Sequence, residues 1–320
     1  MTAAPHIPVL LSEVVAGLAP KAGMIFVDGT FGAGGYSQAL LDGSDCRVFG
    51  IDRDPSAVAR GEELSKRYGG RLTILAGCFG DMEALLADHG IDKIDGVALD
   101  LGVSSMQIDE AERGFSFQKD GPLDMRMEKA GASAADMLNS LAEADLADIF
   151  WRFGEERHSR RIARAIVTDR KLEPFTSTRQ LAELIRRIVP RSKDGIDPAT
   201  RTFQGLRIAV NDELGEVARG LIAAERLLGT GGRLAVVSFH SLEDRVVKDF
   251  LKKRSGAEAL PSRHVPISST PQPPSFRLLT KKPLLPGAAE MAANARARSS
   301  RLRLAERTAA PAWPAAEGRA

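Results

Sequence analysis

Four residues in this chain could do chemistry in one place, because each closes a short apolar run. Asp28 follows Ile25-Phe26-Val27, Asp52 follows Val48-Phe49-Gly50-Ile51, Asp100 follows Val97-Ala98-Leu99, and His240 follows Leu234-Ala235-Val236-Val237-Ser238-Phe239. Apolar runs of this length bounded by turn formers read as buried strands, which puts three acids and a histidine at strand ends. The first strand opens into Gly29-Thr30-Phe31-Gly32-Ala33-Gly34-Gly35, where glycines let the backbone turn sharply and approach a ligand. Nicotinamide and flavin enzymes carry a glycine loop at the same place, but theirs faces a pyrophosphate. A carboxylate at Asp28 repels a pyrophosphate and suits a cationic ligand. S-adenosylmethionine, with its sulfonium and ammonium groups, has the matching sign. A strand-turn-helix corner with no ligand, and a dinucleotide site, both stay open at this level.

The other strand ends extend the same reading. Asp52 lies 24 residues past Asp28, the place where a doubly wound fold grips ribose hydroxyls. Asp54 precedes Pro55 and reads as a helix cap. Leu72–Leu75 is a third strand, and Phe79 beyond it could lie against an adenine through its ring or backbone, or sit in the core. His240 is a substrate contact or the owner of a structural hydrogen bond. No spacing of cysteine or histidine suggests a metal: Cys46 and Cys78 read as small buried hydrophobes.

Strands and helices that alternate up to Asp100 imply an α/β fold with a mainly parallel sheet and ligands outside its carboxyl ends. After Asp100 the rhythm breaks into a polar loop rich in turn formers, read as a wall of the site. Leu146, Ile149, Phe150 and Phe153 then repeat at helical spacing, as do Leu181, Leu184, Ile185 and Ile188. Residues 110–205 therefore read as a helical insertion, with 1–109 and 206–307 forming the main domain. A long helix returns the chain to that domain, with Gln204, Arg207 and Asn211 on one polar face, suited to a substrate, to the loop, or to ordinary helix contacts. Residues 261–286 are proline-rich, with Phe276–Leu279 as a candidate edge strand. Arg296, Arg298, Arg301, Arg303 and Arg307 form a local basic patch suited to phosphates, or a solvated helix face. Residues 308–320 are expected to be disordered.

Composition sets the outer limits. Hydrophobic content of 43% and charged content of 27% are those of a soluble globular chain. A net charge of +2 excludes a general polycation, so any RNA surface must be a local patch. No apolar stretch approaches the roughly 20 residues of a membrane span, and no signal peptide precedes the first strand, so a cytoplasmic location is expected.

The loop from Asp28 to Gly34 resembles the acid-and-glycine signature of class I S-adenosylmethionine-dependent methyltransferases, a Rossmann-like α/β fold. Longer motifs narrow the resemblance: His6-Ile-Pro-Val-Leu-Leu, Val27-Asp-Gly-Thr-Phe-Gly-Ala-Gly-Gly, Gly50-Ile-Asp-Arg-Asp-Pro, Asp100-Leu-Gly-Val-Ser-Ser-Met-Gln, Arg113-Gly-Phe-Ser-Phe, Asp120-Gly-Pro-Leu-Asp-Met-Arg-Met, Arg201-Thr-Phe-Gln, Ser238-Phe-His-Ser-Leu-Glu-Asp-Arg and Arg296-Ala-Arg-Ser. In this order they resemble the small-subunit ribosomal RNA methyltransferase H family, the 16S rRNA cytidine N4-methyltransferases. The resemblance implies S-adenosyl-L-methionine as cofactor and 16S rRNA or the small ribosomal subunit as partner. It implies cofactor contacts at Gly34, Gly35, Tyr36, Asp52, Phe79, Asp100 and Gln107, and assigns the insertion to substrate recognition. Tyr36 stands where the family commonly has histidine, which is harmless if that contact runs through the backbone. For the chemistry, cytosine N4 is a poor nucleophile, and a carboxylate accepting its hydrogen would activate it. Asp100 is the candidate acceptor and His240 the second. A homodimer stays open.

Overall fold

The computed structural model describes residues 8–191, 195–257 and 272–314. His6, residues 261–271 of the proline-rich segment and residues 315–320 of the tail lie outside the described residues. The strands are β1 (Ile25–Asp28), β2 (Arg47–Asp52), β3 (Leu72–Ala76), β4 (Ile94–Asp100), β5 (Leu228–Ser238), β6 (Phe276–Leu278) and β7 (Arg301–Arg307). The helices are α1 (Leu11–Leu18), α2 (Gly35–Gly43), α3 (Pro55–Ser65), α4 (Met82–Ala87), α5 (Ser105–Asp109), α6 (Ala134–Ser140), α7 (Glu143–Arg152), α8 (Ser159–Asp169), α9 (Thr178–Ile188), α10 (Ala199–Asn211), α11 (Glu213–Leu227), α12 (Ser241–Arg254) and α13 (Ala288–Ala293).

Among the described residues the strands form one sheet in the order β3-β2-β1-β4-β5-β7-β6. The first five are parallel, and β7 runs antiparallel to both β5 and β6. Their sequences explain the difference. Strands β1, β2 and β4 are nearly continuous apolar runs, as needed where helices cover both faces. Strand β7 alternates, with Leu302 and Leu304 buried and Arg301 exposed. The chain passes from β1 outward through β2 and β3, then returns to the other side of β1 as β4. That reversal is the switch point at which such sheets bind ligands, outside the carboxyl ends of β1 and β4.

The chain divides into two compact units, Met1–Gly102 with Leu214–Ala320, and Val103–Glu213. These joints lie a few residues before the expected 109 and after the expected 205. In the first unit two apolar clusters form, one containing Val27, Phe49, Leu99 and Val236, the other Phe26, Leu40, Val48 and Ala98. The second unit has its own core of Phe150, Ile162, Ile166, Phe175, Leu181 and Ile185. The helical spacings around Leu146 and Leu181 supply Phe150, Leu181 and Ile185, while Ile162 and Ile166 come from α8 and Phe175 from the segment before α9. Each fully buried Leu or Phe contributes about 1.5–3 kcal/mol, so this unit holds together through its own packing.

Two expectations fail in the C-terminal part. The arginines expected to form a free basic patch or a solvated helix lie partly on β7, and three of them are engaged. Arg301 and Arg303 both bond Asp244, at 2.9 and 2.7 Å, and Arg307 donates to the carbonyls of Glu225 and Ser275. Strand alternation puts leucines inside and leaves arginines to satisfy buried acceptors from other elements. The tail is also ordered as far as residue 314. Trp313 donates its indole N–H to the Pro273 carbonyl at 2.9 Å, its backbone N–H bonds Glu225, and Arg254 stacks over its ring. Phe276–Leu278, by contrast, is the edge strand expected.

Candidate active site at the carboxyl rim

Asp28 ends β1 and is buried. It accepts bonds from the Ser37 hydroxyl at 2.7 Å, the Ser37 N–H at 3.2 Å and the Thr30 N–H at 3.4 Å. Burial pushes its carboxyl up to about 6, against the lowering effect of those bonds, and neighbouring Asp52 adds to the rise. Asp28 therefore fixes the turn between β1 and α2, and its buried carboxyl uses most of its acceptor capacity inside the protein. That corrects the view of Asp28 as the direct host of a cationic ligand.

The glycines of the turn have packing reasons as well as backbone ones. Gly34 caps α2 with φ 76°, and a Cβ there would sit 2.7 Å from the Phe31 ring. A Cβ on Gly35 would come within 2.0 Å of Pro8. Gly35 and Tyr36 are the first helical residues of α2, where backbone N–H groups have no acceptor within the helix. The Tyr36 ring is buried and its hydroxyl donates to the Val9 carbonyl. Any cofactor contact at Tyr36 thus falls to its backbone, so the side-chain difference from histidine is absorbed by the core.

Asp52 ends β2 and is half-buried. Its Oδ2 accepts from the Gly32 N–H at 2.7 Å and its Oδ1 from the Asp54 N–H at 2.8 Å. Burial raises its carboxyl above the usual range. Each oxygen keeps a lone pair, so the group can still accept from hydroxyls. Asp54 accepts from the Ser56 N–H and caps α3, as its sequence suggested.

The Phe79 ring belongs to the core. A Cβ on Gly220 of α11 would lie 2.4 Å from it, and a Cβ on Gly29 would lie 3.0 Å from the Phe79 Cβ. An adenine could meet only what this residue leaves outside the core. Its N–H donates to Glu216 Oε1 at 2.9 Å, and Glu216 Oε2 pairs with Arg53 at 2.7 Å. Glu216 is distant in sequence and carries no local motif, so the chain alone did not reveal it.

Asp100 ends β4, next to β1 and β5. Its N–H donates to the Thr30 hydroxyl at 2.6 Å, which gives a reason for threonine in the glycine loop. Its Oδ1 is closed off from solvent and has no hydrogen-bond partner. Burial, then Asp28, then Glu243 push its carboxyl well above the carboxylate range. An uncompensated acceptor of this kind is costly, and a cation placed beside it would remove both the orphan and the repulsion.

His240 follows β5 and caps α12. Its Nδ1 accepts from the Glu243 N–H at 3.4 Å, while Glu243 Oε2 accepts from the N–H groups of Phe239 and His240. With Nδ1 as acceptor, Nε2 carries the proton, and it lies 3.0 Å from Glu243 Oε1 without good hydrogen-bond alignment. The imidazole is thus held in a capping box, and the structural reading of His240 accounts for its contacts. Glu243 also faces Asp100 electrostatically, a contact between distant parts of the chain that no local pattern shows.

The rim of the first unit therefore brings together Asp28, Asp52, Asp100 and His240 at the carboxyl ends of β1, β2, β4 and β5. Gln107 belongs to the second unit, where Ser104 and Gln107 form the capping box of α5. The Ser104 N–H donates to Gln107 Oε1 at 3.0 Å, and the Gln107 N–H donates to Ser104 Oγ at 3.2 Å. Also in that unit, Asn211 accepts from the Met127 N–H at 2.9 Å and donates to the Met125 carbonyl at 2.8 Å. Of the three uses open to the polar face of α10, Asn211 serves the loop. Gln204 bonds the Phe153 carbonyl, and Arg207 makes a forked pair with Glu213.

A model of the MraW methylase family matches residues 3–308. The chain belongs to that family. The ribosomal RNA small subunit methyltransferase H of Paramagnetospirillum magneticum is 63% identical over 98% of this chain and 99% of its own length. The protein of the same name from Rhodospirillum centenum is 65% identical over 96% of this chain and 93% of its own. Among solved structures, an rRNA methylase from Streptococcus thermophilus aligns over 96% of this chain and 99% of its own with TM-score 0.41 and 11% identity. Among the described residues no helix is long and apolar enough to cross a membrane.

Proposed function

We propose that this methylase transfers a methyl group from S-adenosyl-L-methionine to the exocyclic N4 of a cytidine in the decoding region of 16S rRNA. The observation that carries the reading is the Asp100 carboxyl: its Oδ1 is buried without a hydrogen-bond partner, and the group is pushed toward its neutral form at the sheet's switch point. Such a group is complete only when something cationic or hydrogen-donating arrives, and both the donor and the acceptor amine qualify. The residues fit the donor: the Asp52 carboxylate has acceptor capacity left for ribose hydroxyls, and Gly35 and Tyr36 offer helix N-terminal N–H groups. When bound, S-adenosylmethionine supplies an electrophilic methyl on a positively charged sulfur. Asp100 accepts a hydrogen of N4, orienting its lone pair and drawing off the proton as the nitrogen becomes cationic. Glu243 holds His240 at the same rim, so His240 shapes the wall beside the acceptor.

The second unit serves substrate recognition in this reading. Arg157, Arg160 and Arg161 stand exposed at and just before the start of α8, where phosphates can meet them. The names of the relatives support a small-subunit RNA substrate, and the compartment follows from it: the cytoplasm, where small subunits form. The test is to incubate small subunits lacking the modification with methyl-labelled donor and map the labelled nucleotide. One labelled cytidine carrying its methyl on N4 is expected. Label on another base, or on protein alone, would overturn the assignment.

A further inference from the structure

Away from the rim acids, the antiparallel edge of the sheet carries a basic cavity with no assigned role. After β6, the Leu279 N–H donates to the Leu304 carbonyl, while Leu284 and Leu302 exchange both backbone bonds at 2.9 Å. Two residues advance along β7 while five advance on the other side, so residues 280–283 loop out from the sheet. They face α12 across a cavity of about 320 Å³. Lys248 and Lys252 come from the helix, Lys281 and Lys282 from the loop, and Arg303 from β7. Leu251, Leu278 and Leu304 give the cavity an apolar lining.

The charges there are not balanced from within. Arg303 is matched by Asp244. Among the described residues the acidic partner of Lys248 is exposed Asp249, at 3.9 Å, which is worth little. Lys252, Lys281 and Lys282 are exposed and have no acidic partner among the described residues. Like charges converging on a concave surface repel one another unless an anion joins them. Lysines act as point charges, a form in which phosphates are commonly held.

Resting on the function proposed above, we propose that this cavity binds a backbone phosphate of the substrate RNA, on nucleotides flanking the target. In sheet order β6 lies three strands from β4, roughly 14 Å to the side at about 4.8 Å per strand. A phosphate held there sets the position of the strand and carries no base information.

The test is fluorescence anisotropy of the whole chain with a labelled uridine homopolymer over a salt series. The variants are Lys281→Glu with Lys282→Glu, and separately Lys252→Glu. RNA affinity at low salt is expected to fall about tenfold in the double variant, and the slope of log affinity against log salt to become shallower by roughly 1. Donor affinity by calorimetry stays as in the wild type, which shows that the variants are folded. Unchanged affinity and slope in both variants overturn the proposal. So does a poly-glutamate peptide that displaces RNA from the wild type as well as unlabelled RNA does, since the cavity would then be a protein-docking site. Inorganic phosphate that displaces RNA far better than chloride at equal ionic strength marks a small-anion site and also overturns it. A wild-type chain that binds RNA as described but methylates no small-subunit RNA removes the function proposed above and leaves the cavity standing. Variants that methylate small subunits with unmoved KM and salt slope remove the cavity alone.

Discussion

Two groups of acids in one sheet have opposite surroundings. At the parallel rim, Asp28, Asp52 and Asp100 have no ion pair among the described residues, and burial raises all three carboxyls. At the antiparallel edge three acids hold cations. Asp244 holds Arg301 and Arg303, Glu306 holds Arg277 and Arg233, and buried Glu225 holds Arg254 at 2.8 Å. For Asp244, burial would raise the carboxyl, but its arginine bonds outweigh that and hold it below the usual range. A carboxylate thus fastens the fold where its partner is internal, as Asp244 does with arginines and Asp28 with Ser37, and stays available to a ligand where an oxygen is left without one, as at Asp100.

The largest effect expected from this contrast is on stability at the edge. Glu225 also accepts from the Ser275 hydroxyl and the Trp313 N–H, so Glu225→Ala leaves a buried guanidinium without its carboxylate and removes one of the tail's bonds. A loss of about 3–5 kcal/mol is expected in chemical denaturation. A variant as stable as the wild type would break the comparison from this side.

At the rim the corresponding substitution should do the reverse. Asp100→Asn removes a charge that burial already opposes, so unfolding free energy should hold or rise while donor affinity by calorimetry falls roughly 10- to 100-fold. Lost stability with intact donor binding would mean that Asp100 is structural. That result would also remove the observation on which the proposed function stands.

A smaller effect sharpens the contrast through pH. Asp100 is raised in the folded state, so the folded chain holds its proton above the pH at which the unfolded chain loses it. Its contribution to stability is full below the ordinary carboxylate value and is lost as pH rises through the folded value. A cationic ligand prefers the ionised form, so donor affinity should climb with pH, by at most about tenfold per pH unit. Asp100→Asn should flatten that profile. Asp244 has the opposite sign: its contribution is present above the ordinary carboxylate value and is lost as pH falls. Hydrogen exchange under mild acid should therefore open β7 amides before those of β4.

Much of the rim was legible because strand ends announce themselves locally. A run such as Gly96-Val97-Ala98-Leu99-Asp100 states its burial and its terminus within five residues. Glu216 and Glu225 were not legible. Each meets its partner across a long stretch of chain, and nothing near either one in sequence marks it. The arginines at 301, 303 and 307 misled for a related reason. A cluster of cations reads as a surface, while the acid and the carbonyls that use them come from α12, α11 and the residue just before β6.

The sequence by itself determined the parallel α/β core, the order of its strands' acidic ends and the family, because burial period, turn chemistry and motif order are properties of short stretches. Only the tertiary structure decided which of those acids is left unpaired. Asp28 bonds Ser37, Asp52 bonds the Gly32 and Asp54 N–H groups, and Asp100 Oδ1 bonds nothing among the described residues. Whether a carboxylate keeps its charge for a ligand depends on its neighbours across the fold, because desolvation and Coulomb interactions act through space.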